Sequence, residues 1–230
     1  MSARARGPVV AIDGPAGAGK STVSRGVAAQ LGFALVDTGA LYRAIALRAR
    51  EEGISWQDGP ALGALGAELE LSFVDSPGGS RLLVDGRDRS GDIRTGEISQ
   101  GASIVSQHAE VRAALLGLQR RLGAEGGVVL EGRDIGTVVF PDAEVKVFLT
   151  ASDEERARRR QAELSGRGAR AELDAVLAEI RERDHRDSSR PVAPLRVAPD
   201  AVRVDSTGLT LEQVVERIVE IVRGVAPGAD

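Results

Sequence analysis

The run Gly14-Pro-Ala-Gly17-Ala-Gly19-Lys20-Ser21 matches the pattern G-x-x-x-x-G-K-[ST]. Each residue type in it has a chemical use. Glycines let successive backbone N–H groups turn inward around phosphate oxygens, and a helix opening at the lysine adds partial positive charge. Lys20 can reach β- and γ-phosphates as a flexible cation, and the Ser21 hydroxyl can ligate Mg2+. The pattern predicts an ATP-type phosphate loop built from Gly14, Pro15, Ala16, Gly17, Ala18, Gly19, Lys20, Ser21 and Thr22. Lys20 is its catalytic cation and Ser21 its metal ligand. Such a loop must follow a strand and open a helix. Val9–Asp13 reads as a buried strand, and Val23, Val27 and Leu31 recur four apart before Gly32.

A phosphate loop does not name the acceptor of the phosphoryl group. GTPases carry an N-K-x-D base-reading motif, and neither lysine of this chain sits in one. Motor ATPases usually show an apolar run ending in Asp-Glu, and no such run appears. The pattern favours a kinase of a small metabolite.

Composition narrows the classes further. The 230 residues can bury a substantial core as one large domain or a core carrying insertions. Without cysteine there is no disulfide scaffold, thiolate metal site or cysteine nucleophile, and two histidines make a multi-histidine metal site implausible. Of the 30 basic residues only Lys20 and Lys146 are lysines; the rest are arginine. A net charge of −4 argues against a general nucleic-acid or membrane coat, and the 3% aromatic share leaves few stacking platforms. Any anion site must come from clustered arginines. The apolar run Val9–Ile12 is too short for a signal peptide, which needs about 7–15 apolar residues. A cytoplasmic, monomeric protein with small-molecule partners is expected, without nucleic-acid or membrane partners.

Short β-branched runs alternate with helical patterns, which predicts an α/β fold: a parallel sheet flanked by helices. The strands are Val9–Asp13, Phe33–Asp37, Val128–Glu131, Val145–Thr150 and Ala201–Asp205. The helices are Lys20–Gln30, Ala40–Glu52, Ser106–Leu122, Asp153–Leu164, Ala171–Arg183 and Leu209–Val222. Ser152-Asp-Glu-Glu155 resembles a capping box. Leu69–Val74, Arg81–Arg87 and Ile93–Thr95 alternate around Pro77-Gly78-Gly79 and Asp85-Gly86, which predicts a small antiparallel insert.

Five further segments resemble bacterial cytidylate kinase, in order and across nearly the whole chain. They are Asp37-Thr-Gly-Ala-Leu-Tyr-Arg43, Gly91-Asp-Ile-Arg94, Glu131-Gly-Arg-Asp-Ile-Gly-Thr137, Ser152-Asp-Glu-Glu-Arg-Ala157 and Arg183-Asp-His-Arg-Asp-Ser-Ser-Arg190. The resemblance implies a five-stranded parallel phosphate-loop core, a monophosphate-binding domain with a small antiparallel β insert, and a short helical lid. The corresponding spans are 1–37, 116–152 and 191–230 for the core, and 38–115 for the monophosphate-binding domain, with its insert at about 66–97. The lid and its connecting helices span 153–190. It implies ATP and Mg2+ as cofactors and CMP or dCMP as acceptor. Thr38, Arg43 and Arg133 then hold the acceptor phosphate, and Ser103, Arg112 and Asp134 read the cytosine. Arg183, Asp187 and Arg190 contact ribose, base and phosphates. Arg156, Arg159 and Arg160 resemble lid arginines that join Lys20, Arg133 and Arg190 in catalysis. Thr38 stands where Ser is common in that family, and Glu131 where Asp is common.

The residue types suit that chemistry on their own account. Cytosine offers an N4 donor beside N3 and O2 acceptors, which an Asp134–Arg112 pair complements. Uracil would oppose acceptor to acceptor and donor to donor. An unpaired buried polar group costs about 1–3 kcal/mol, so a tens- to hundred-fold cytosine preference is expected. Asp187 accepting from a ribose 2′-hydroxyl would favour CMP modestly over dCMP. A kinase of broader UMP/CMP range and a nucleotide-dependent binding module are the competing readings. Asp37 stands between two roles, a strand-end carboxylate and a neighbour of the metal. Tyr42 and Trp56 read as packing residues, and His108 and His185 as surface residues.

Overall fold

The structure, a computed structural model, describes residues 6–76, 79–166, 168 and 170–225. Five strands form a parallel sheet: β1 (Val9–Asp13), β2 (Ala34–Asp37), β6 (Val128–Gly132), β7 (Val145–Thr150) and β8 (Val202–Asp205). Their spatial order is β2-β6-β1-β7-β8. β1 is central and fully buried, as an unbroken β-branched run on a sheet covered on both faces should be. Period-two alternation splits it between layers. Val10 and Ile12 face helices α1 (Lys20–Leu31) and α8 (Leu211–Val225), while Val9 and Ala11 face Leu130, Ile135 and Phe140. On α8, Val214, Val215, Ile218, Val219 and Val222 form the apolar stripe that seals one face of the sheet.

Residues between β2 and β6 build a second hydrophobic core. Helices α2 (Thr38–Glu51), α3 (Gly59–Glu68), α4 (Gly96–Val105) and α5 (Ala109–Gly123) enclose Leu41, Ile45, Leu62, Ile98 and Leu115. An antiparallel sheet of β3 (Leu71–Ser76), β4 (Gly79–Val84) and β5 (Arg87–Asp88) adds Leu71, Leu82 and Val84 to it. A small third cluster, Ala157, Val176 and Ile180, joins α6 (Asp153–Gly166) to α7 (Leu173–Ser189). Among the described residues no helix is long and apolar enough to cross a membrane.

The predicted sheet strands stand, with β2 and β8 one residue shorter at their starts. Several elements differ. Ile93–Thr95 is not a third insert strand: Asp92–Arg94 forms a 3-10 turn, and β5 lies earlier at Arg87–Asp88. Pro77 and Gly78 of the expected turn lie outside the described residues. The predicted helix over 106–122 starts late, because α4 ends at Val105 and α5 begins after His108. Helices α3 and α4 carry no clear period in the sequence. Glycine in a helix costs about 1 kcal/mol, whereas burying a Leu or Ile side chain yields about 1.5–3 kcal/mol. Leu62 and Leu65 in α3, and Ile98 and Val105 in α4, are all buried and outweigh the glycines. The capping box is half present: the Glu155 N–H donates to Ser152 Oγ at 3.2 Å, but the Ser152 N–H donates to Thr207 Oγ1 at 2.9 Å. Finally, α7 runs to Ser189 instead of ending near Arg183. That extension carries Arg183 through Ser189 onto one helix, with Arg190 as its extended C-cap.

Candidate active site

Parallel register brings the carboxyl ends of β1, β2 and β6 to one edge, where open α/β sheets place their ligands. Asp13 is level with Gly132, and Asp37 with Glu131. The chain after β1 turns into the phosphate loop, and the turn after β6 carries Arg133 and Asp134. Asp13 ties the two together by accepting from the N–H groups of Ile135 (2.9 Å) and Gly136 (2.8 Å). Burial pushes this carboxyl up to about 6 against those two hydrogen bonds. Above the sheet edge opens a cavity of about 710 Å3.

Its end at the glycine-rich loop is backbone. Gly14 adopts φ 155°, and a Cβ there would lie 2.0 Å from the Leu149 carbonyl oxygen. No other residue fits so close to β7. Lys20 is buried, and its Nζ donates to the carbonyls of Gly14 (2.8 Å) and Pro15 (2.7 Å). Burial first, and the Arg133 charge second, push this ammonium well below its ordinary pKa. Ser21 Oγ donates to Glu131 Oε2 at 3.0 Å, and the other carboxylate oxygen of Glu131 is buried without a partner. Burial and neighbouring Asp37 push the Glu131 carboxyl up to about 7. Ser21, Glu131 and Asp37 form an all-oxygen donor set suited to a hard cation that also takes phosphate oxygens, which fits Mg2+. Among the described residues there is no group of three or more His, Cys, Asp or Glu that could hold a metal by itself.

The opposite end is made of side chains from α2, α4, α5, the β6 turn, α7 and Arg190 just after it. Arg43 donates to Asp37 at 2.5 Å, and Thr38 Oγ1 donates to the Glu131 carbonyl at 2.7 Å. Arg133 Nε donates to Asp187 at 2.8 Å. Burial would raise Asp187, but Arg133, Arg183 and Arg190 hold its carboxyl below the usual range. Arg183 has an Nε without a hydrogen-bond partner, and burial with nearby Arg133 lowers its pKa to about 10. Deeper in, Asp134 lies between two guanidiniums: Arg112 contacts one carboxylate oxygen, and Arg190 donates to the other at 3.3 Å. Arg112 also sits 5.5 Å above the Tyr42 ring, and Ser103 Oγ is buried without a partner. Tyr42 therefore does more than fill the core, because it forms the floor under Arg112 on the cavity wall.

Most of the expected site residues meet on this wall. From the loop come Ala16, Gly17, Gly19, Lys20, Ser21 and Thr22; from the acceptor side come Thr38, Arg43, Ser103, Arg112, Arg133, Asp134, Arg183, Asp187 and Arg190. Arg159 and Arg160 line it too, the former held by Glu155 (3.0 Å) and Ser206 Oγ (2.9 Å), the latter by Glu163 (2.9 Å). Gly14, Pro15 and Ala18 form the back of the loop instead. Arg156 is not on the wall at all. It is buried beneath the loop and donates to the Ala16 carbonyl at 2.7 Å. Glu131, named above only as a departure from the family's common Asp, and Asp184, not named there, join the site. Both lie inside recognised segments, at a strand end and beside Arg183, where a carboxylate among arginines was the available signal. His108 is half-buried, its Nε2 2.8 Å from the Trp56 carbonyl oxygen, so it is a surface residue tied to the core at one edge.

A family model described as cytidylate kinase matches residues 10–224. The chain belongs to the cytidylate kinase family. Among its relatives, the cytidylate kinase of Geobacter sulfurreducens is 51% identical over 97% of each chain. That of Exiguobacterium sibiricum is 47% identical over 94% of this chain and 96% of its own. A bifunctional pantoate ligase/cytidylate kinase of Synechococcus is 51% identical over 96% of this chain, which spans only 43% of that protein. Among solved structures, an uncharacterised protein from Eubacterium ventriosum covers 94% of this chain and 98% of its own at 10% identity, with a TM-score of 0.53. That likeness concerns the fold. The family match spans all the segments that converge here: the glycine-rich loop, α2, α4 and α5, the β6 turn and the helix pair α6–α7.

Proposed function

We propose that this cleft transfers the γ-phosphoryl group of ATP to the phosphate of CMP, and to that of dCMP. The chain is a nucleoside monophosphate kinase, and one observation supports the substrate reading most. A single cavity has a phosphate loop at one end and the Arg112–Asp134–Arg190 group at the other. Between them stand Arg43, Arg133 and Arg183, and the whole lining carries Lys20 and nine arginines against six carboxylates. Such an excess favours an anion where the two nucleotides would meet.

Phosphoryl transfer asks a protein mainly for positioning and charge stabilisation. Ser21 and Glu131, with Asp37 nearby, would hold Mg2+, which when bound neutralises charge on the β- and γ-oxygens. A triphosphate in the loop places negative oxygens beside Lys20, which favours its charged form against burial. Arg43, Arg133 and Arg183 offer planar donors to the acceptor phosphate, with Thr38 behind them. Asp134 keeps lone pairs free to accept from cytosine N4, since each carboxylate oxygen can take two donors. Asp187, already bound to Arg133, can accept from a ribose hydroxyl in the same way. Arg159 and Arg160 flank the loop from α6, at the place where water must be excluded. We assign residues 38–115 to the monophosphate-binding part and 153–190 to the lid and its connecting helices, with the remainder as core.

Release of ADP by the purified protein with CMP, dCMP, UMP, AMP and shikimate as acceptors tests this reading. Turnover is expected to be highest with CMP or dCMP. Comparable turnover of UMP would favour a broader pyrimidine kinase, and absence of acceptor-dependent ADP release would overturn the reading.

A further inference from the structure

The peptide group joining Pro15 to Ala16 is held on both sides. Its carbonyl oxygen, on Pro15, accepts from Lys20 Nζ at 2.7 Å. Its N–H, on Ala16, donates to Asp184 Oδ1 at 3.0 Å. A peptide unit is planar and stiff, so these two contacts are mechanically one. The next carbonyl, on Ala16, accepts from Arg156 NH1 at 2.7 Å, and the same nitrogen donates to Asp184 Oδ2 at 2.5 Å. A closed ring of hydrogen bonds thus grips the loop at Ala16.

Arg156 has no freedom to leave this ring cheaply. It is 4% exposed, with Nε donating to the Ala151 carbonyl (3.2 Å) and NH2 to Asp153 (2.6 Å). Its backbone also touches the loop: a Cβ on Gly17, which adopts φ 73°, would lie 3.0 Å from the Arg156 carbonyl oxygen. Asp184 comes from α7, immediately after Arg183 and three residues before Asp187. Those two neighbours face the acceptor part of the cavity, where Asp187 holds Arg133. One helix therefore presents acceptor ligands on one face and the loop's carboxylate anchor on the adjacent face.

We infer that Asp184 and Arg156 are positioning residues that make the setting of Lys20 depend on the placement of α7, and so couple acceptor binding to donor binding. The inference rests on the CMP-kinase reading above. A monophosphate nucleotide that engages Arg183 and Asp187 favours the docked position of α7. Docked α7 presents Asp184 to Ala16, and the Pro15–Ala16 peptide then presents its carbonyl to Lys20. The Asp184 charge polarises that peptide and strengthens the carbonyl as an acceptor. A triphosphate seated in the loop meets a preset Lys20. Coupling of this kind is reciprocal, so ATP must tighten CMP binding by the factor by which CMP tightens ATP.

The test uses the full chain with Asp184→Ala, Asp184→Asn and Arg156→Lys. Affinity for a β,γ-imido analogue of ATP is measured by calorimetry, alone and with saturating CMP, beside kcat, both KM values and thermal midpoints. In the parent protein CMP is expected to tighten the analogue at least about five-fold. Asp184→Ala should bring that ratio close to one and lower kcat by about ten- to a hundred-fold, while CMP affinity alone shifts less than about three-fold. Asp184→Asn keeps an acceptor for the Ala16 N–H and should recover part of both losses. Arg156→Lys keeps the charge but not the fork, and should fall between the parent and Asp184→Ala. Should Asp184→Ala not fold, a coupling ratio at least about two-fold below the parent's in folded Asp184→Asn carries the inference. A lowered thermal midpoint with coupling and kcat intact would overturn it, as would a parent protein without coupling. Coupling between CMP and the analogue in a protein that never phosphorylates CMP would instead sink the kinase reading and leave the clamp standing.

Discussion

The two ends of the cavity, which the proposed reading gives the same task of holding phosphate, are built by different means. The proposed donor end is nine consecutive residues that offer backbone groups, with one lysine tucked against its own loop carbonyls. The proposed acceptor end gathers side chains from positions 37 to 190, and most of its charged groups are paired with one another. Arg43 holds Asp37, Arg133 holds Asp187, and Asp134 bridges Arg112 and Arg190. A backbone cradle is preorganised by its own dihedral angles. A side-chain site has to be preorganised by internal ion pairs, and substrate groups must share those partners. Loss of one donor-end group should therefore cost rate, whereas loss of one acceptor-end group should cost discrimination and some stability.

Lys20→Ala breaks the donor end outright. It should lower kcat by about a hundred- to a thousand-fold, the usual effect of removing one transition-state charge, with CMP affinity changed little. Steady-state rates and CMP titration check this, and an unchanged rate would refute the role of the loop. Next in size is Asp134→Asn. It should cut the kcat/KM preference for CMP over UMP by about ten-fold or more, because an amide can offer uracil a donor. Its thermal midpoint should fall as well, since two buried guanidiniums then face a neutral partner.

Asp187→Ala should lower kcat/KM for both acceptors because Arg133 loses its anchor. The loss with CMP should exceed that with dCMP by about five-fold, through the missing contact to the 2′-hydroxyl. Equal losses would confine Asp187 to holding Arg133. The smallest effect concerns stability at Glu131, on the seam between the two ends. Its carboxyl titrates at about 7 when folded against 4.5 otherwise, so between those values the folded protein keeps a proton that the unfolded chain has released. Stability from this group is whole below about pH 4.5 and is lost as pH rises through about 7. Glu131→Gln should therefore melt higher than the parent at pH 8, by a few degrees at most, with little difference at pH 5. Its turnover should be lower at both pH values. Melting curves at the two pH values, paired with rates, separate the stabilising effect from the functional one.

Much of this was legible from residue order alone. The loop was readable because its function resides in consecutive residues, and the sheet because its strands are unbroken apolar runs. The acceptor ligands were readable only as segments resembling a known family. Arg156 is the instructive failure of that reading. In sequence it is one of several arginines at helical spacing with Arg159 and Arg160, so a shared place on the cavity looked natural. Helix α6 turns it inward instead, where the Ala16 carbonyl and Asp184 receive it. Asp184 was passed over for the complementary reason. A carboxylate between Arg183 and Arg186 reads as local charge balance, and its partner lies 168 residues away. Helices α3 and α4 escaped for want of a period, since contacts with distant elements stabilise them more than their own composition does.

The amino-acid sequence by itself determined what is local: the phosphate loop, the buried strands that end beside it, and the scarcity of lysine that singles out Lys20. Backbone geometry and hydrophobic periodicity act over a few residues, so neighbouring letters suffice to read them. Only the tertiary structure decided which arginines face the cavity, which carboxylates hold them, and that one peptide plane links α7 to Lys20. Those are matters of charge placed within about 3 Å across distant parts of the chain, where ion pairs in a buried setting are strong or costly according to geometry alone.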